Sequence, residues 1–501
     1  MSEITRRRLA PNLPTDGWAS WLGTGLIVAI ATILHLVGLS KPKGMIFDEI
    51  YYATEGDDLI HHGVEWNHAA NTGDYVVHPP LGKWLIGLGI KIFGMNEFGW
   101  RIASAVFGTI AVLLIIRIGR RLFRSTVLGC AAGLLMALDG LEFILSRSAL
   151  LDIFLMTFIL AAFGCLVLDR DYRRLRWLRA LEAGKTRPGF GVPWWRLGGA
   201  VMLGCAMSVK WSALWYILLF GLLAYLWEVG TRKTASIRYP WLDALASEIG
   251  WLVLCGAIIL VVYVASWSGW FLSDHGYDRH WQANRGIHEL PIIGPLVNLY
   301  QYHHEALNFH NGLSAGHKYQ SWPWQWLLLG RPVAFYWSSA PGCGTSNCAA
   351  EVLLLGTPIL WWSFIPALAG LTWFGVSRRD WRTLAIGLSA AAGIIPWFPW
   401  EFDNRTMFFF YVLPAEPFLV LAVVYVLGAL ISRPVRIGVL HAAGGTELLD
   451  PVDRRIMGVI FSASFVFAVA IIFAYFYPIF TGITITYDEW WARMWLGTRW
   501  V

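Results

Sequence analysis

Eleven stretches of this sequence are apolar over most of the length that a helix needs to cross a bilayer. No other feature restricts the fold as much. About 20 apolar residues in a helix span the hydrocarbon, and lipid offers no partners for backbone N–H and C=O groups left unpaired. The stretches lie near 20–39, 98–117, 126–144, 149–168, 196–210, 212–229, 249–271, 353–376, 383–397, 406–431 and 456–478. Each reads as a helix. The run Leu81–Phe93 is shorter and follows Pro79 and Pro80, so it reads as an interfacial or re-entrant helix. Composition agrees, with 56% hydrophobic and 14% charged residues, against about 25% charged in soluble domains. Even large soluble domains bury only about three-quarters of their chain surface, too little to hide this much. The same numbers exclude a disordered chain, a collagen-like repeat and, with 6 Cys, a disulfide-dense scaffold. The 30 Trp and 18 Tyr suit aromatic belts at two membrane interfaces. The predicted fold class is an all-α polytopic membrane protein.

Basic residues orient the set, because short cytoplasmic segments carry the excess of Lys and Arg. With Arg6, Arg7 and Arg8 inside, the inner segments also hold Arg117 to Arg124, the cluster from Arg170 to Arg196, and Arg232, Lys233 and Arg238. They further hold Arg378, Arg379, Arg382, Arg433, Arg436, Arg454 and Arg455. That places 25 of the 39 Lys and Arg inside. The net charge of +6 is therefore a topology signal, and nucleic acid is not implied. An odd number of helices puts the C-terminus outside. Met1–Pro14 is polar and no small-residue cleavage site follows the first run, so residues 20–39 read as a retained helix. Neither a repeat of 20–50 residues nor an inverted pair of broken spans stands out, which weakens a transporter reading.

Two outer segments, residues 40–97 and 272–352, are too long for simple turns. Loops longer than about 15 residues usually carry function or are disordered. These are rich in Trp, Tyr and His, which argues against disorder and places the chemistry on the outer face.

The first candidate is Asp48-Glu49, within Met45-Ile-Phe-Asp-Glu-Ile-Tyr-Tyr-Ala53. A carboxylate among apolar neighbours has its pKa raised toward that of a useful general base. An isolated Asp-Glu pair would read as solvated loop acids, but Phe47, Ile50, Tyr51 and Tyr52 imply a packed segment. The second is Val77-His-Pro-Pro-Leu-Gly-Lys83. A helix N-terminus suits phosphate, and His78 and Lys83 could add charge. A Pro-initiated interfacial helix with a snorkelling Lys explains the segment equally well. The third set is Arg101, Arg147, Lys210 and Arg405, cations at the outer ends of helices. Boundary charges usually face a polar cavity, and several together would make an anion site. Asp152 reads as a structural partner of Arg147.

Cys343 and Cys348 lie in the second outer segment, where an oxidising exterior favours a disulfide and a zinc site lacks further ligands. Cys130, Cys165, Cys205 and Cys255 read as packing residues. His303, His304, His310 and His317 fit no closed metal pattern and read as part of a hydrogen-bonded loop.

Taken in order, these segments resemble the protein O-mannosyltransferases. The resemblance rests on Asp48-Glu49, His78-Pro-Pro-Leu-Gly-Lys83, Arg101, Arg147 with Asp152, and Ser208-Val-Lys-Trp211. It extends to Tyr319-Gln-Ser-Trp-Pro-Trp-Gln-Trp326 with Arg331-Pro332, and to Arg405-Thr-Met-Phe-Phe-Phe-Tyr-Val-Leu-Pro414. The Trp-rich end, Trp490–Trp500 with Met494, resembles the bacterial branch. Eukaryotic members insert a β-trefoil domain in the second long loop, for which residues 272–352 are too few. That departure points to an actinobacterial member.

The resemblance implies a GT-C glycosyltransferase fold occupying residues 1–501 as one transmembrane domain. It implies inverting transfer of mannose from polyprenyl-phosphate mannose to Ser or Thr of secreted polypeptides, with the translocon one place to meet them. Asp48 would be the base, Glu49 would hold loop partners or the acceptor backbone, and the cations would face the donor phosphate, with Arg101 or Arg147 alternatively holding the loop that contains Asp48 through a buried pair. No cofactor is required by this scheme, and a bound divalent ion is compatible with it. The expected location is the plasma membrane, with the N-terminus cytoplasmic and the active site outside among membrane lipids. A same-class alternative uses another lipid-linked sugar or a lipid acceptor, as in the aminoarabinose-to-lipid A transferases. A different-class alternative is a polyprenyl-lipid transporter or flippase, which would use the charged cavity without a base.

Overall fold

The computed structural model describes residues 3–11, 14–432 and 451–501. Arg433 and Arg436 of the expected basic clusters lie outside them. The helices, in chain order, are α1 (Glu3–Leu9), α2 (Gly17–Leu36), α3 (Glu49–His62), α4 (Leu81–Phe93), α5 (Glu97–Phe123), α6 (Thr126–Ala137) and α7 (Gly140–Leu145). Then follow α8 (Asp152–Glu182), α9 (Trp194–Met207), α10 (Ala213–Thr234), α11 (Pro240–Ser266), α12 (Ser268–Leu272), α13 (Ile293–Gly312) and α14 (Pro323–Trp326). The last are α15 (Pro358–Arg378), α16 (Trp381–Ala392), α17 (Phe398–Phe402), α18 (Glu416–Ile431), α19 (Pro451–Thr481) and α20 (Tyr487–Trp491).

Among the described residues, nine helices are long and apolar enough to cross a membrane, fewer than the eleven expected. The shortfall has local causes. The stretch 126–144 breaks between α6 and α7, where Asp139 accepts from Leu141 N and also binds Thr357 N (2.7 Å) and Trp361 Nε1 (2.8 Å). The stretch 196–210 yields only the short α9. The stretch 353–376 is among the nine as α15, although its apolar start is strand, because an apolar run alone does not separate buried strand from helix.

Burial ranks the helices. In their most apolar windows α8 and the segment Phe409–Ile431 are 72% buried, whereas that of α11 is 6% buried. Sequence sets the helix ends. Asn96 accepts from Phe98 N and Gly99 N to start α5, and Ser125 caps α6.

Residues 40–97 fold into α3, the small hairpin β1 (Trp66–Asn67) and β2 (Thr72–Gly73), and α4. Here α4 fits between α3 and α5 because glycines let backbones touch. A Cβ on Gly87 would lie 2.3 Å from Gly56 O, and one on Gly89 would lie 2.4 Å from Gly99 O. Either substitution would separate the helices that carry the site.

Residues 272–352 contain α13, α14 and a hairpin. β3 (Val333–Ser338) pairs antiparallel with β4 (Cys348–Leu354), register Val333↔Leu354, with a bulge between Ala334 and Tyr336. β4 also pairs with β5 (Ile485–Thr486). Cys343 and Cys348 form a disulfide across the hairpin tip, Cα atoms 5.8 Å apart. The C-terminal segment is tied to this sheet. Trp490 Nε1 donates to Glu351 (2.6 Å), and Arg331 donates to the carbonyls of Arg499 and Val501.

Candidate active site

Asp48 sits at the N-terminal end of α3 and does not cap it with its side chain. No hydrogen-bond partner holds that carboxylate among the described residues. Its neighbours set its charge instead. Burial first, with Asp152 and Glu55 nearby, raises its pKa to about 6 against the pull of Lys210. Phe47, just before it, has φ of 47°, a conformation that costs a non-glycine residue about 1–2 kcal/mol. An aromatic clamp offsets that cost. The Phe47 ring stacks on Phe335 at 4.6 Å and meets the edges of Phe408 and Phe410.

Beside it is a cavity of about 260 Å³ lined by both charged and aromatic or apolar side chains. His78, Asp152, Lys210, His310 and Arg405 supply the charged and polar groups. Trp211, Trp397, Trp400 and Tyr411 supply rings. Lys210 Nζ is 2.8 Å from Asp152 and 5.7 Å from the ring centroid of Tyr411. Arg405 has a different status. Its Nε donates to His310 O (3.1 Å), and rings of Trp397 and Trp400 lie 5.7 Å from its guanidinium. Its Nη1 is buried with no acceptor. Among the described residues it has no carboxylate partner, so the cavity carries a cation whose charge protein groups leave unmatched. His78 and His310 face each other at 5.3 Å. Burial pushes both imidazoles below their ordinary pKa, with Lys210 and Arg405 adding to the effect, so both are neutral at pH 7.

The structure therefore divides the residues singled out in the sequence. His78, Lys210 and Arg405 line one cavity, and Asp48 lies close enough to Lys210 and Asp152 in its wall to feel their charges. Glu49 does not join them, because it is fully buried. It accepts from Ile46 N, Trp100 Nε1, Ala149 N and two nitrogens of Arg101, so no substrate can reach it. Arg101 spends its remaining donors on the carbonyls of Leu39, Pro42 and Gly44. Arg147 donates to Leu34 O, His35 O, Val37 O and Gly38 O, satisfying the end carbonyls of α2. Lys83 has no exposure and lies between Glu55 and Glu65. Arg101, Arg147 and Lys83 thus have their donors committed to protein acceptors and do not line the cavity, and Arg101 takes the alternative role of holding the Asp48 segment through a buried pair. The expected pairing of Asp152 with Arg147 is corrected; Asp152 pairs with Lys210.

His303, His304 and His310 lie on α13, not in a loop. Among the described residues, no three His, Cys, Asp or Glu converge as a metal-holding group. Sequence reasoning missed His310, Trp211, Trp397, Trp400 and Tyr411 as site residues. The density of Trp around Arg405 was the available signal; nothing local marks His310.

Comparison with known proteins extends this picture. Residues 26–271 match the family model described as dolichyl-phosphate-mannose-protein mannosyltransferase, and residues 295–500 match the C-terminal four TMM region of protein-O-mannosyltransferase. The polyprenol-phosphate-mannose--protein mannosyltransferase of Mycolicibacterium smegmatis is 39% identical over 502 residues, covering 96% of this chain and 93% of that protein. The protein of the same name from Corynebacterium glutamicum is 33% identical over 510 residues, covering 96% and 93%. The S. cerevisiae protein O-mannosyltransferase Pmt1-Pmt2 complex bound to the sugar donor shares the fold with a TM-score of 0.72 at 15% identity, over 98% of this chain and 94% of that one. With family models matched along nearly the whole length and relatives this similar, the chain belongs to the protein O-mannosyltransferase family.

Proposed function

We propose that this protein transfers mannose from polyprenyl-phosphate mannose to Ser and Thr hydroxyls of polypeptides, at the end of the bundle that carries Asp48. The observation that carries this reading is the unmatched Arg405 in a half-apolar cavity beside an unpartnered carboxylate. A phosphate would accept from Arg405 Nη1 and lie near Lys210, and the prenyl chain would leave along apolar lining residues such as Leu155, Leu214 and Leu307. The acceptor oxygen attacks C1 of mannose while the C1–O bond to phosphate breaks. Asp48 takes the hydroxyl proton, and the leaving phosphate gains a charge that Arg405 and Lys210 offset. A transporter would use the same charged cavity without a base, so Asp48→Asn separates the two readings. We place this site on the extracytoplasmic side of the plasma membrane, following the basic residues at the opposite end.

The test uses the purified full chain in nanodiscs with polyprenyl-phosphate mannose and a Ser/Thr/Pro-rich peptide. A mass gain of one hexose, lost in Asp48→Asn, is expected. Near-normal transfer by Asp48→Asn would overturn the mechanism.

A further inference from the structure

A second charged cavity, of about 450 Å³, lies at the far end of the bundle. It is separated from the active site by the length of α8. Arg170 in its wall is 18 residues beyond Asp152, or about 27 Å along the helix. Among the described residues, eight arginines and two aspartates line it. Both aspartates are already committed. Asp171 pairs with Arg121 (2.7 Å) and Arg170 (3.3 Å), and Asp380 is held by Arg382 and by Tyr425 Oη (3.1 Å). Arg8, Arg124 and Arg379 are exposed, and among the described residues they have no carboxylate partner. Arg170 is only 8% exposed, its guanidinium lies 3.5 Å from the Trp381 ring centroid, and its Nε has no acceptor. The Nε of Arg174 is also buried and unpartnered.

Eight arginines against two aspartates leave this wall with an excess of positive charge, and two buried Nε groups in it lack acceptors among the described residues, so the wall is complementary to an anion. Guanidinium groups suit phosphate oxygens in particular. The adjoining cavity indicates which phosphate. An apolar groove of about 700 Å³ runs between α15 and α16, walled by Leu368, Leu371, Val376, Leu384 and Leu388. Arg379, Asp380 and Trp381 line both spaces. A free phosphate gains nothing from such a groove, whereas an acyl chain fills it.

We propose that this end of the protein binds an anionic phospholipid, its phosphodiester among Arg124, Arg170, Arg174 and Arg379 and one acyl chain in the α15–α16 groove. Basic pockets between membrane helices hold anionic headgroups by this combination of charge and apolar contact. The site shares no residue with the active site and does not depend on the role given to Asp48.

Native mass spectrometry of the full chain, titrated with phosphatidylglycerol and separately with phosphatidylcholine, tests it. At least tenfold stronger retention of phosphatidylglycerol is expected. The triple variant Arg8→Gln, Arg124→Gln, Arg379→Gln changes only exposed side chains and should lower retention to the phosphatidylcholine level. Thr372→Trp, which fills the groove, should weaken phosphatidylglycerol binding and leave glycerol 3-phosphate binding unchanged. Equal retention of both lipids by the unmodified protein would overturn the proposal. So would inorganic phosphate displacing the lipid at equal concentration with no effect of Thr372→Trp, since the occupant would then be a free anion.

Discussion

Glu49 and Arg101 form a fully buried bidentate pair, with Nε and Nη2 each 2.8 Å from a carboxylate oxygen. Glu49 follows Asp48 directly, and the two acids have opposite surroundings. One is sealed by five donors from four residues; the other has no hydrogen-bond partner. The pair, with Arg101 also holding the carbonyls of Leu39, Pro42 and Gly44, fixes the segment that delivers Asp48.

Glu49→Gln should therefore act through stability. Breaking a buried pair by removing one partner leaves an unmatched charge and costs about 3–5 kcal/mol. The expected result is a large drop in thermal midpoint in detergent. Asp48→Asn should show no such drop, while losing about 10²–10⁴-fold in transfer rate. Similar melting of the two variants would contradict this division.

Donor affinity should separate the cations in the same way. Arg405→Ala removes a guanidinium whose Nη1 has no protein acceptor, and loss of one charge-assisted bond corresponds to about 10- to 100-fold in affinity. Lys210→Ala should weaken binding less cleanly, because it also frees Asp152. Lys83→Met should lower stability and leave affinity for polyprenyl-phosphate mannose unchanged, its charge being matched by Glu55 and Glu65. Unchanged donor binding in Arg405→Ala would place the phosphate elsewhere.

Much of this was legible in the sequence, for physical reasons. Apolar length and Pro79-Pro80 predict α4 with its observed bounds, because both signals are local. Asp48 stands out because apolar residues flank it. What remained hidden depends on long-range partners. Nothing near Arg147 reveals that it faces the end of α2, and nothing near Lys210 reveals Asp152, which lies 58 positions away. His310 reaches the site because α13 crosses it, a placement no local pattern encodes. The break at Asp139 was missed for the same reason, since its partners Thr357 and Trp361 are far along the chain.

The Cys343–Cys348 bond closes a short loop at the tip of the β3–β4 hairpin. The chain-entropy estimate for so short a loop is about 2 kcal/mol. Reduction should lower the thermal midpoint modestly and leave donor affinity intact, because neither cysteine borders the active-site cavity. Loss of donor binding on reduction would show that the hairpin supports the site directly.

The pH profile carries the sharpest test of Asp48. A base must be ionised, so with a pKa of about 6 the rate constant kcat/KM should be level above pH 7 and fall tenfold per unit below about 6. Glu55 is one of the charges raising the Asp48 pKa, so Glu55→Gln should move the limb to lower pH without abolishing transfer. Folding carries the matching sign. A carboxyl whose pKa rises from 3.8 to about 6 on folding binds more protons folded than unfolded, so its contribution to stability falls as pH rises between those values and is level above them. Asp48→Asn should remove that slope from the melting profile. A kcat/KM profile that stays flat through pH 6, or a limb unmoved by Glu55→Gln, would mean that the titrating base is not Asp48.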